Sequence, residues 1–131
     1  MSGVVLDKLT KAYGGGVLAV NNVSLEVADG EFVCLVGPSG CGKTTALRMI
    51  SGLEEISSGE VRIGDRVVND LPARERDLAL VFQSYALYPH MTVFQNISFG
   101  LEIRKVPKPE RKKMVHEAAR ILDLEQYLDR K

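Results

Sequence analysis

The 131-residue sequence predicts an α/β fold, and three features of the chain carry that expectation. An unbroken apolar run at residues 32–36 leads through a glycine-rich loop into a segment of helical periodicity, and a second unbroken run follows at residues 78–82. Alternating apolar and polar segments flank the first run. Continuous apolar runs of strand length suit strands covered on both faces, which belong to parallel sheets. Alternation instead marks strands with one wet face, typical of antiparallel pairing.

Each element follows from local chemistry. Residues 4–9 and 23–27 alternate and read as strands, with the turn-rich Tyr13-Gly14-Gly15-Gly16 between them. Asp29-Gly30 makes a tight turn into the first buried run, residues 31–36. After the loop at 37–42, Ala46, Met49, Ile50 and Leu53 share a helical face, and Gly52 marks the helix end. Residues 60–63 and 66–68 form a hairpin through the two-residue turn Gly64-Asp65. The second buried run ends at Gln83. Thr92 and Gln95 have capping-box spacing and open a helix with Val93, Ile97 and Leu101 on one side. Pro107 stops it, and Pro109 suits the first position of a further helix with the apolar stripe Met114, Ala118, Ile121 and Leu122. The charged stretch at 104–113 is a solvated face, and no internal repeat or low-complexity tract occurs.

Composition narrows the functional classes. Seventeen basic and seventeen acidic residues cancel and are scattered, so there is no general footprint for nucleic acid or an anionic membrane. Any phosphate must be gripped locally. At 45% apolar the chain has material for a core, and one domain of this length buries roughly two thirds of its unfolded surface. The apolar stretches are strand-sized and no leader-like segment opens the chain, so a cytosolic setting is expected, with Cys34 and Cys41 reduced rather than bridged. His90 and His116 lack a second ligand at metal spacing and read as surface or packing residues.

The loop Gly37-Pro38-Ser39-Gly40-Cys41-Gly42-Lys43-Thr44 matches the phosphate-binding pattern G-x-x-x-x-G-K-[ST], with a strand-like run before it and a helix after it. A triphosphate is large and highly charged, so glycines are needed to turn successive backbone N–H groups inward without a clashing Cβ. The following helix adds unpaired amides and its positive dipole end. Lys43 supplies a point charge to the β and γ phosphates, and Thr44 a hydroxyl oxygen for Mg²⁺. By chance such a pattern arises in on the order of one chain in a few hundred of this length. The strand and helix context lowers that further, so the loop is read as an ATP site. Ser39 and Cys41 fit as small residues in the loop.

Four motifs in register, the Lys-Ala-Tyr13-Gly segment, the GPSGCGKTT loop, Ser57-Ser58-Gly59-Glu60 and Val81-Phe82-Gln83 with the residues that follow, make the chain resemble the ATP-binding subunit of ABC transporters along essentially all its length. The resemblance implies a P-loop NTPase (RecA-like) core, here partial, with an antiparallel β subdomain and the start of a helical subdomain. Residues 1–86 would hold the β and P-loop elements and residues 87–131 the start of the helical subdomain. It assigns adenine stacking to Tyr13, which otherwise reads as a surface aromatic beside a flexible turn. Phosphate and nucleotide contacts fall to Gly37, Pro38, Ser39, Gly40, Cys41, Gly42, Lys43, Thr44 and Thr45. Gln83 would contact Mg²⁺ and the attacking water, joining Thr44 at the metal and Lys43 in catalysis; read without the family it is equally a polar strand end. Residues 85–92, with Tyr85, Leu87, Tyr88, Pro89 and Met91 before Thr92, would receive a coupling helix of the transmembrane permease subunits; a loop folded over the core is the other reading. A second copy of the ATPase subunit and, indirectly, a solute-binding protein are the further implied partners, at the cytoplasmic face of the membrane. The wording from Leu71 to Leu101 is most similar to importers of carbohydrates and related solutes such as glycerol phosphate, with polyamine importers nearby.

The 131 residues contain no LSGGQ signature, no apolar strand ending in Asp-Glu, no D-loop and no switch histidine. The chain is therefore expected to be the first part of an ATPase domain, binding nucleotide without turning it over, because phosphoryl transfer rests on positioning and charge stabilisation from a complete site. Two rival readings stand beside it: an ATPase head of the DNA-repair type, and a module that binds nucleotide without hydrolysis. Against the first, residues near Pro107 show no sustained heptads.

Overall fold

The computed structural model describes residues 2–131. The chain forms two compact units, one running to Leu80 and the other starting at Val81. The sequence reading places that division after residue 86.

In the first unit, strands β1 (Val4–Tyr13), β2 (Val17–Val27), β3 (Ser58–Ile63) and β4 (Arg66–Val67) form an antiparallel sheet in the order β2-β1-β3-β4, joined by the helix α1 (Lys43–Ser51). The hairpin through Gly64-Asp65 and the glycine end of α1 are where the sequence puts them. Leu6, Leu9, Val20, Ala46, Met49, Val61 and Val68 make one buried cluster between sheet and helix.

The first two strands are longer and less regular than the alternation suggests. Leu6 and Leu9 are both buried although three residues apart, which a period of two forbids. Lys8, at φ 48°, absorbs the extra residue as a bulge. Two further shifts follow, one between Leu9 and Lys11 and one that leaves Ala19 of β2 without a ladder partner, between the pairs Lys11↔Val20 and Ala12↔Leu18. The gap at Ala19 bears on the site below.

Arg76 is the main buried charge of this unit, at 5% exposure. Its guanidinium donates to the carbonyls of Met49 (2.7 Å) and Ile50 (3.0 Å) at the end of α1 and to those of Leu71 (2.8 Å) and Asn69 (3.3 Å). Burial pulls its pKa below the ordinary arginine value, while the four carbonyls supply the acceptors that a buried charge requires. A cation at a helix C-terminus also complements the dipole.

Both long apolar runs depart from expectation. Residues 32–36 and 78–82 take no regular structure and join no ladder among the described residues, and Phe32 (93%), Val36 (88%) and Val81 (89%) are exposed rather than buried. A helix closes its hydrogen bonds within one segment, whereas a strand exists only beside another strand. Apolarity makes a run competent for a sheet; the neighbour has to be supplied.

The second unit contains α2 (Val93–Ile103) and α3 (Lys108–Ile121). The capping box forms as its spacing implies: Thr92 Oγ1 accepts from the Gln95 amide (3.1 Å), and Gln95 Oε1 accepts from the Thr92 amide (2.8 Å). The carbonyls of Arg130 and Leu128 accept from the amides of Val93 (2.7 Å) and Phe94 (2.9 Å), satisfying two more donors of the first turn. Pro107 is the N-cap of α3, so Pro109 takes the second helical position rather than the first. The stripe expected on α3 is not the buried one. Val115 and Ala119 are fully buried with Leu128, against Val93, Phe94, Ile97, Leu101 and Leu124, while Met114, Ile121 (77%) and Leu122 lie exposed. Two apolar stripes one residue apart are available on this helix, and packing against α2 and the segment at Leu124 and Leu128 buries the Val115 side.

Truncating Arg76 strands one buried and three partly buried carbonyls, so Arg76→Ala should destabilise the chain by about 2–4 kcal/mol. Urea unfolding monitored by circular dichroism measures this, and a loss below about 1 kcal/mol would contradict the buried clamp.

Candidate nucleotide-binding site

The loop at 37–42 and the start of α1 form a cradle built from backbone. Gly40, at φ 79°, has nothing within 4 Å of where a Cβ would stand, so the loop is open on that side. At Gly37 the reverse holds: a Cβ would lie 2.6 Å from Cys41 Sγ, so the small residue lets the loop fold on itself. Gly42, at φ 94°, is the N-cap of α1, makes no side-chain cap bond, and is followed by no acidic residue in the first turn. The first amides of α1 are thus left for an external acceptor, and an anion is what the helix end favours.

The Lys43 side chain folds back over this loop. Its ammonium donates to the carbonyl of Gly37, to that of Pro38 at 2.9 Å, and to Cys41 Sγ at 3.5 Å. Neutral acceptors orient the ammonium without cancelling its charge. Thr44 is exposed on the first turn, Thr45 half-buried, and Ser39 exposed in the loop. An open glycine cradle, an oriented lysine and an exposed hydroxyl on the first helical turn form a donor set that fits a nucleotide polyphosphate, with the Thr44 oxygen suited to Mg²⁺.

Tyr13 reaches the same unit through the sheet. A Cβ on Gly42 would lie 2.2 Å from the Ala19 carbonyl oxygen and 3.2 Å from Val20, so the loop-to-helix junction is seated directly on the irregular part of β2. Two residues before Ala19, Val17 pairs with Tyr13 across the β1–β2 turn, a step of roughly 7 Å along the strand. Tyr13 is 42% exposed at that end of the hairpin.

Gln83 lies in the second unit, exposed in a turn, and the run before it is not the buried strand expected to present it. After it, Tyr85 (φ 63°) and Ala86 (φ 50°) take left-handed conformations that β-carbons disfavour. Tyr85 and Leu87 are exposed, so residues 85–87 are not folded over a core. The rest of the loop is held by Asn96, whose Oδ1 accepts from the Tyr88 amide (2.9 Å) and whose Nδ2 donates to the carbonyls of Thr92 (3.0 Å) and Tyr88 (3.2 Å). The Tyr88 ring packs on Phe99 at 5.1 Å, and His90 lies 6.0 Å from Tyr88. His116 lies 6.4 Å from Phe94.

A groove of about 650 Å³ in the first unit lies elsewhere, between Gly52 and the segment ending at Arg76. Glu54, Glu55 and Asp70 line it while the Arg76 guanidinium is turned to carbonyls, so its field opposes a phosphate.

Against known proteins, the ABC transporter family profile matches residues 20–131. The chain belongs to the ABC transporter family. It is 59% identical over all 131 residues to the sn-glycerol-3-phosphate import ATP-binding protein UgpC of Brucella abortus (strain 2308), and 58% identical to UgpC 3 of Agrobacterium fabrum. In both cases it spans 37% of the relative's length. Among solved structures it matches the ATP-binding cassette MJ0796 in a dimeric post-hydrolysis state bound to ADP and Pi, with a TM-score of 0.86 and 34% identity, covering 98% of this chain and 61% of that one. A second dimeric MJ0796 structure gives 0.87 and 33%. The fold class is thus the α/β cassette of ABC ATPases, partial here, as the motifs suggested.

Several residues that hold each unit together internally were not singled out by the sequence. Lys11, inside the Lys-Ala-Tyr13-Gly segment, and Arg76 act in the first unit and Asn96 in the second by hydrogen bonds to carbonyls, an acceptor present at every residue, and so leave no composition signal.

Gly42→Ala combines a left-handed φ with a backbone clash, so it should destabilise the first unit by more than about 2 kcal/mol. Calorimetric or urea unfolding tests this; an unchanged midpoint would mean that the junction does not rest on β2. Alkylating Cys41, which contacts both Gly37 and Lys43, should abolish ATP binding by the loop, whereas full binding after complete modification would show that the thiol stands clear of the phosphates.

Proposed function

We propose that these residues are the nucleotide-gripping part of the ATP-binding subunit of an ABC importer, whose solute is sn-glycerol 3-phosphate or, failing that, a sugar. The observation that carries this reading is the 59% identity, unbroken over the whole chain, to a protein named for sn-glycerol-3-phosphate import. The open cradle closed by Lys43 supports the nucleotide part.

In this reading the amides of the loop and of the first turn of α1 bind the phosphates, Lys43 neutralises the β and γ groups, and Tyr13 offers its ring to adenine. Thr44 and Gln83 would hold Mg²⁺, which when bound screens phosphate charge and polarises the transferred group. Gln83 orients water within the complete domain. The exposed apolar loop at 85–92 meets the permease, a second ATPase subunit completes each nucleotide site, and a solute-binding protein delivers cargo, so the assembly works at the cytoplasmic face of the membrane. The 131 residues by themselves bind ATP but do not turn it over, because they hold neither an LSGGQ signature nor an Asp-Glu strand end.

Titration calorimetry on the chain should show ATP binding that Lys43→Ala weakens at least tenfold, with no phosphate release above background. Monomeric protein with robust turnover abolished by Lys43→Ala would overturn the partial-site reading. For the solute, deleting the complete gene in its host should abolish uptake of radiolabelled sn-glycerol 3-phosphate; unchanged uptake there, with another transport defect in its place, would reassign the cargo.

A further inference from the structure

Lys11 is a lysine in an uncommon place. Its side chain is 12% exposed, whereas lysines normally keep the ammonium in water. It lies two residues before Tyr13, beyond the bulge at Lys8, so both project from the same face of β1. The ammonium donates to the Glu55 carbonyl at 2.6 Å, pairs with Glu54 Oε1 at 2.8 Å, and stands over the Tyr13 ring, 5.1 Å from its centroid. The Lys11 hydrogen bond holds the Glu54 carboxyl below its ordinary range, with smaller contributions from the Tyr13 hydroxyl and the Arg48 charge.

The loop that carries Glu54 is itself anchored. The amides of Leu53 (2.9 Å) and Glu54 (3.2 Å) donate to the Arg48 carbonyl on the last turn of α1. Further on, Ser57 Oγ accepts from the Ala12 amide at 2.9 Å, and the Ser57 amide donates to the Thr10 carbonyl at 2.9 Å. One helix therefore presents Lys43 at its start and, through the loop after its end, the carboxylate that fixes Lys11.

We propose that Lys11 and Glu54 are positioning residues for the nucleotide base: Glu54 and the Glu55 carbonyl hold the Lys11 ammonium against one face of the Tyr13 ring, leaving the opposite face for a purine. This rests on the reading of Tyr13 as the stacking residue. The cation draws π density toward itself, and the free face becomes a better partner for an electron-rich purine. The clamp also removes rotamer freedom from a tyrosine that borders a run of three glycines, so less entropy is lost when the base arrives. It acts on the base and not on the phosphates.

Affinities of the 131-residue chain for ATP and for inorganic triphosphate separate these roles. Lys11→Met and Glu54→Gln should each weaken ATP about three- to tenfold and leave triphosphate within twofold, and Lys11→Arg should restore ATP binding. In a Tyr13→Ala background, Lys11→Met should cause no further loss, because its effect passes through the ring. The proposal is overturned if Lys11→Met leaves ATP affinity unchanged, if it weakens ATP and triphosphate equally, or if its loss adds in full to that of Tyr13→Ala. If Tyr13→Ala itself leaves ATP affinity unchanged, the stacking reading fails and this proposal with it. Both fail equally if the wild-type chain binds triphosphate but gains nothing from the base, and a chain that binds neither overturns the phosphate site as well.

Discussion

The seating of Gly42 on the Ala19 carbonyl is the contact on which the rest of the site depends. It requires a residue without a Cβ, at φ 94°, against a backbone oxygen that would stand 2.2 Å from any β-carbon. It also requires that β2 be irregular at Ala19, which has no ladder partner there. Those two conditions bring the start of α1 onto the same hairpin that ends in Tyr13. The glycine loop and the Tyr13 ring then share one frame, and the distance between them is set by strand geometry rather than by a flexible loop.

The helix that begins at this contact is used from both ends. At its N-terminus free amides and Lys43 create a positive field without an acidic neighbour in the first turn. At its C-terminus Arg76 takes the Met49 and Ile50 carbonyls, and the Arg48 carbonyl takes the amides of Leu53 and Glu54. An open, anion-accepting start and a cation at the end both agree with the macrodipole. Nine residues would make a marginal helix in isolation; here the packing of Ala46 and Met49 and the Arg76 clamp hold it to the sheet.

The second unit holds apolar side chains in water by polar means. Asn96 ties down Tyr88 and Thr92, while left-handed Tyr85 and Ala86 turn the preceding residues outward. Strained backbone and exposed aromatics together cost stability, and they persist where surrounding contacts over-determine the conformation.

What could be read from the sequence were the features whose hydrogen bonds close locally. The capping box of Thr92 and Gln95, the Gly52 helix end, the Gly64-Asp65 turn and the phosphate loop each involve residues within a few positions, so spacing alone reveals them. The features the sequence left undecided depend on which distant segment lies alongside. Residues 32–36 and 78–82 carry every mark of buried strands and stand unpaired, because a strand's partners lie outside itself. On α3 two stripes were available, and contact with α2 chose Val115 and Ala119. The contact of Lys11 with Glu54 and the Glu55 carbonyl comes from packing between segments more than forty residues apart in the chain. Local chemistry thus determined the glycine loop proposed to grip phosphate, and the tertiary structure decided which residues stand around it, since register and packing are properties of pairs of segments and not of either one.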